Sequence, residues 1–123
     1  MKGYNKKIGA EGEEAACRYL KRRGYRILER NYTVRGGELD IIAMDGEELV
    51  FAEVKTRTST SMGLPSDAVN YHKKQHIIYT AKHYIAKKRL YDIQVRFDVI
   101  EVMPQKGILK RYSVNHIKDA FGV

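Results

Sequence analysis

Two rhythms of apolar and polar residues run through this chain. From Ile8 to about Gly24 the apolar positions Ile8, Ala15, Ala16, Tyr19 and Leu20 recur at helical spacing. Glu14 and Arg18, four apart, add a favourable surface pair, and Gly24 supplies a C-terminal cap. The period then drops to two. The stretches "YRILERNYTV", "GELDIIAM" and "ELVFAEVKT" each predict a strand, with Asp45-Gly46 as a tight turn between the last two. "RTSTSMGLPSD", polar and carrying Gly63 and Pro65, reads as a loop. Helical spacing returns from Asn70, an N-cap residue, to Lys88, with Ile77, Ala81, Tyr84 and Ile85 on the inner face. "IQVRFDVIEVM" predicts another strand, ended by Pro104. "GILKRYSV" reads as an edge strand and "HIKDAF" as a closing turn of helix. The order α, β, β, β, α, β predicts an α/β fold, a mixed central sheet flanked by helices. No repeat or linker interrupts it, so residues 1–123 read as one domain.

The third strand raises a question of chemistry. In "VFAEVKTR", Val50, Ala52, Val54 and Thr56 fall on one side and Phe51, Glu53, Lys55 and Arg57 on the other. In "GELDIIAM", alternation puts Glu38, Asp40, Ile42 and Met44 on one face. A two-residue loop sets Asp40 opposite Phe51 and Glu38 opposite Glu53. A four-residue loop sets Asp40 opposite Glu53, and a three-residue loop with a bulge does the same work. In every register Glu38, Asp40, Glu53 and Lys55 gather on one face.

Carboxylates so close repel one another. A divalent cation offsets that repulsion, and oxygen ligands suit Mg²⁺ or Mn²⁺. Asp40 and Glu53 are then the metal ligands, with the Val54 carbonyl as a further one. Lys55 orients the attacking water or offsets charge growing on phosphorus. The alternative is a solvated face carrying Asp40–Lys55 and Glu53–Arg57 ion pairs. Glu13 borders the apolar stripe of the first helix and is placed to reach the sheet carboxylates as an outer ligand. Lys73 stands in the first turn of the second helix, where a cation opposes the helix dipole and a nearby phosphate or carboxylate relieves it. Asp98, in "RFDVI", reads as structural, paired with Arg96 or a neighbouring strand.

Charge strengthens one class of partner. The 123 residues carry a net charge of +8 at pH 7, and basic residues cluster with tyrosines in "CRYLKRRGYR", "YHKKQH" and "LKRY". Such patches suit phosphate contact and base stacking, so nucleic acid is the expected partner. The single cysteine, Cys17, cannot form an internal disulfide and reads as a small packing residue in a reducing compartment. No apolar run reaches the roughly 20 residues of a membrane helix, and "MKGYNKKIGAEGEEAA" lacks the apolar core of a signal peptide. A cytoplasmic protein without membrane association is expected.

"GELDII" followed by "VFAEVKTR", with "GAEGEEAACRYLKRRGY" upstream and "RFDVI" downstream, resembles the YraN-like family of bacterial proteins. That family lies in the PD-(D/E)XK nuclease superfamily and is similar to archaeal Holliday junction resolvases. The resemblance runs from about Ile8 to Phe121. It implies a restriction-endonuclease-like core and Mg²⁺- or Mn²⁺-dependent hydrolysis of phosphodiester bonds in DNA, branched or otherwise structured. On it, Asp40, Glu53 and Lys55 match the catalytic set and Glu13 the first-helix glutamate. Arg57, Lys73 and Lys74 are the expected phosphate contacts. Gln75 and Tyr79 echo a Q-x-x-x-Y element, which makes Gln75, with Glu38, a supporting residue. Leu39 stands where the superfamily's name has proline. Resolvase-like enzymes pair to cut two strands, so a homodimer enters the expectation. The rivals are a catalytically silent nucleic-acid-binding module on the same fold and a protein whose basic surface meets an acidic partner.

Overall fold

Seven elements follow one another along the chain: α1 (Lys2–Arg22), β1 (Arg26–Val34), β2 (Gly37–Asp45), β3 (Glu48–Thr56), α2 (Tyr71–Lys88), β4 (Gln94–Gln105) and β5 (Arg111–Phe121). They come from a computed structural model that describes residues 2–57, 70–105 and 111–122, with side chains from residue 9. The expected loop with Gly63 and Pro65, and the start of the expected 107–114 strand, lie outside the described residues.

Local chemistry sets the helix ends. At α1, Gly24 has φ +88°. The Tyr25 N–H bonds to the Leu20 carbonyl and the Gly24 N–H to that of Lys21, both at 3.0 Å. This pair of bonds is the Schellman cap. Asn70 caps α2, its side chain accepting from the Lys73 N–H at 2.9 Å. The same helix closes on Arg89 at φ 55°, and Leu90 N–H reaches the Ile85 carbonyl at 3.0 Å.

The five strands lie side by side in chain order, all neighbours antiparallel except β3 and β4. The parallel pair needs a crossover, and α2 lies within it. The helices cover opposite faces. Ala16, Cys17 and Leu20 of α1 pack on Ile41, Ala43, Val50, Ala52, Ile100 and Val102. Ile77, Ala81 and Tyr84 of α2 pack on Leu39, Ile42, Leu49, Phe51, Phe97 and Val99. The expected α/β architecture, a mixed sheet between helices consistent with a restriction-endonuclease-like core, is the one observed. No helix of the described residues is long and apolar enough to cross a membrane.

Two expectations at the C-terminal end are corrected. β4 continues through Pro104, which pairs with Tyr112. β3 stops at Thr56, opposite Val102, so by Pro104 the strand has one neighbour and a missing N–H is tolerated. "HIKDAF" is not helical but the second half of β5. Ile117 pairs with Val99 and Phe121 with Phe97, and Ile117, Ala120 and Phe121 pack on the α2-side core. Tertiary pairing overrides a six-residue helical pattern too short to stand alone.

A buried polar knot fastens one end of the sheet. Arg96 forks onto Asp98 (Nε–Oδ1 2.9 Å, Nη2–Oδ2 3.0 Å) and also donates to Asp45, Glu48 and the Tyr25 hydroxyl. His116 Nε2 lies 2.6 Å from Asp98 Oδ2, and the Asp119 N–H bonds to Oδ1 at 3.0 Å. Burial alone would raise the Asp98 carboxyl; hydrogen bonds from His116, Arg96 and Asp119 outweigh it and hold it low. Asp98 is therefore structural, as its sequence context suggests. Arg96→Met strips a fully buried carboxylate of its main partner, and urea unfolding should show a loss of about 3–5 kcal/mol.

Candidate functional site

The pairing of β2 with β3 begins at a two-residue loop, Gly46 and Glu47, with Asp45 opposite Glu48. Gly46 has φ +59°, the conformation a II′ turn asks of its first central residue. The register then runs through Met44↔Leu49 to Ile41↔Ala52, where the pairing ends. That register brings Asp40 level with Glu53, the alignment expected for a four-residue loop but reached with a tighter one. Beyond Ala52 the strands part. The Asp40 carboxylate enters the gap, its Oδ2 accepting the Val54 N–H at 2.8 Å.

β1 and β2 change faces at the same place. Leu39 and Ile42 share the α2-side core, which a regular strand forbids for residues three apart. In β1, Arg30 meets Glu14 of α1 while Tyr32 stacks edge-on against Tyr84 of α2. Asn31 between them has φ 52°. The uniform row Glu38–Asp40–Ile42–Met44 read from alternation is thus broken at Asp40. The break lets the site be reached from both helical layers.

Each layer is seated by a glycine. A Cβ on Gly12 would lie 1.9 Å from Thr56 Oγ1, and a Cβ on Gly37 1.9 Å from Thr80 Oγ1. These close approaches bring Glu13 of α1 and Lys73 of α2 to the gap. The Glu13 carboxyl is pushed up by burial and then by the Asp40 charge, with the Asn31 side chain opposing. Lys73 Nζ lies 3.1 Å from Glu53 Oε1. The carboxylate that a cation in that helical turn calls for is therefore Glu53.

Glu53 is the most constrained group here. Its side chain is 7% exposed, and its second oxygen, Oε2, is buried with no hydrogen-bond partner among the described residues. Burial, followed by repulsion from Asp40, raises its carboxyl to about 8 against the pull of Lys73. Among the described residues no cluster of three or more His, Cys, Asp or Glu side chains stands in metal-binding geometry. The set on offer is two carboxylates, Asp40 and Glu53, with the Val54 backbone beside them.

The other expected residues divide. Lys55, two positions on from Glu53 on the same strand, is exposed. Glu38 is exposed near Lys73 and contributes to holding its ammonium charged. Arg57 pairs with Glu101, both side chains largely buried, rather than with Glu53. The Lys74 amine sits 5.7 Å from the centre of the Phe121 ring. Gln75 is exposed on α2. Sequence reasoning missed Asn31 and the two seating glycines. An asparagine inside a β-prone run was the available signal, since asparagine tolerates left-handed backbone.

Comparison with known proteins gives a consistent picture. A family model described as uncharacterised protein family UPF0102 matches residues 12–102. A UPF0102 protein of Caldanaerobacter subterraneus is 49% identical over 122 residues, 98% of this chain and 100% of its own length. One from Alkaliphilus oremlandii is 50% identical over 119 residues, covering 95% and 99%. One from Clostridium acetobutylicum is 48% identical over 123 residues, all of both chains.

The raised Glu53 carboxyl has a measurable signature. Its folded value of about 8 exceeds the ordinary 4.5, so the folded chain holds an extra proton between them. The stability that proton confers is complete below about pH 4.5 and vanishes as pH rises through about 8. With chelator present, the urea midpoint of the wild type should fall more between pH 5 and pH 8.5 than that of Glu53→Gln. Equal falls would show that this carboxyl is not raised.

Proposed function

This chain belongs to the uncharacterised family UPF0102, and we propose that it is a metal-dependent endonuclease hydrolysing phosphodiester bonds in DNA. The observation that carries the reading is the buried, unpartnered Oε2 of Glu53 beside Asp40 in a gap between two strands. As an anion, that oxygen would be withdrawn from water without a donor, which is costly; the carboxyl holds a proton instead, and a divalent cation would take the proton's place. Two carboxylates, a backbone carbonyl and water are the donor set that Mg²⁺ and Mn²⁺ accept. Asp40, Glu53 and the Val54 carbonyl would hold the ion, and Glu13 would assist from α1 through water.

A divalent cation held there supplies Lewis acidity to a phosphate oxygen. The protein's own groups do the rest. Asp40, fixed by the Val54 N–H, has little freedom to turn away. The exposed Lys55 orients a water for attack on phosphorus and offsets charge as the bond to the leaving oxygen breaks. Lys73, against Glu53 here, would be free to turn to the phosphate with a cation held at that carboxylate. Arg57, held by Glu101, and Lys74, beside Phe121, are the further cationic groups that would contact phosphate. The resemblance to resolvases directs the choice of substrate toward branched or otherwise structured DNA.

The test is a cleavage screen on junction, flap, duplex and single-stranded DNA with Mn²⁺ or Mg²⁺. Asp40→Ala and Lys55→Ala should each lower the rate by about 10²-fold or more. Calorimetry should show Mn²⁺ affinity lost in Asp40→Ala and Glu53→Ala and kept in Lys55→Ala. Cleavage that survives both Asp40→Ala and Lys55→Ala would remove the assignment. DNA binding with no cleavage on any substrate would favour a silent binding module.

A further inference from the structure

The flank of α1 that faces β5 carries a feature the carboxylate cleft does not use. Glu11, Ala15, Arg18 and Arg22 follow one another at four- and three-residue spacings, a single stripe along the helix, with Tyr19 and Arg23 beside it. Arg111 and Tyr112 of β5 stand across from them. Between the two elements lies an open groove of about 680 Å³ lined by Arg18, Tyr19, Arg22, Arg23, Arg111 and Tyr112. Glu13 lies on the opposite flank of the helix.

The groove is built and strongly positive. The Arg23 guanidinium sits 4.4 Å over the Tyr19 ring, and Tyr19 is braced edge-on by His116. The Tyr112 hydroxyl donates to Glu11 at 2.8 Å, pinning β5 to α1. Arg18 and Arg22, one turn apart, repel each other. Among the described residues none of the four arginines forms an ion pair with a carboxylate. Four guanidiniums gathered at one groove, with Glu14 offsetting Arg18 in part from one turn away, leave an excess of positive charge that favours an external anion.

We infer that this α1–β5 groove binds the sugar-phosphate backbone of a nucleic acid, as a second contact surface separate from the carboxylate cleft. Guanidinium forks spaced along a helix match successive phosphates. Tyrosine rings at the floor suit sugar and base faces. The exposed lining is mostly polar and lacks the apolar centre of a protein-binding patch. The inference rests on the reading of the chain as a protein that acts on DNA, and it extends the contact to the face of the sheet covered by α1.

Binding is measured by fluorescence anisotropy of labelled DNA in EDTA, so that cleavage does not enter. Each phosphate contact contributes about 0.9 to the slope of log K against log salt. Arg22→Ala/Arg111→Ala should weaken binding at least about tenfold and make that slope shallower by about 2, while Mn²⁺ affinity and the urea midpoint stay at wild-type values. Unchanged affinity and slope in the double variant would overturn the proposal. So would wild-type protein binding polyglutamate of matched charge as tightly as DNA. Failure of cleavage with an intact groove effect would count against the endonuclease reading alone.

Discussion

The site depends on one interruption in a ladder of hydrogen bonds. β2 and β3 pair from their turn as far as Ile41 and Ala52 and then separate, and the Val54 amide turns to the carboxylate of Asp40. A backbone donor must be satisfied somewhere. Here an acidic side chain takes the place of a strand, which fixes that side chain in the gap. Everything proposed about the cleft follows from this exchange. Glu53 is buried beside a neighbour of like charge, Glu13 reaches in from one layer, and Lys73 from the other. The left-handed Asn31 and the close seats at Gly12 and Gly37 are what allow two helices on opposite faces to meet at one point.

The protein buries two carboxylates and treats them in opposite ways. Asp98 is fully enclosed, yet it receives Arg96, His116 and a backbone N–H, and it stays ionised. Glu53 receives one lysine on one oxygen and nothing on the other. A satisfied network rigidifies, while a half-satisfied one is unfavourable unless something completes it. The contrast separates the end of the sheet that serves architecture from the end proposed to serve chemistry.

Much of this was legible in the sequence. The two periods marked β1, β2, β3 and α2 nearly to the residue, and Asn70 and Gly24 announced the caps they form. Co-location of Asp40 and Glu53 followed from a hairpin, although its two-residue turn falls on Gly46-Glu47, one position beyond the Asp45-Gly46 read from the sequence. The remainder depends on contacts between distant segments. "HIKDAF" became strand because β4 offered Val99 and Phe97 as partners. Arg57 found Glu101 across a parallel pairing that local spacing does not encode. The face change at Asp40 coincides with a left-handed residue, Asn31, in the adjacent strand, so alternation within β2 alone could not reveal it.

The same irregularities govern how the sheet ends. β1 carries a register shift between Ile27 and Glu29 as well as the left-handed Asn31, and β5 carries one opposite Phe97/Val99 with Asp119 at φ 52°. Bulges twist an outer strand and spoil the flat row of N–H and C=O groups that a foreign chain would copy. Neither rim of the sheet is a good template. Growth of the sheet into a neighbouring molecule is disfavoured at both margins, and the chain is thereby guarded against templated aggregation.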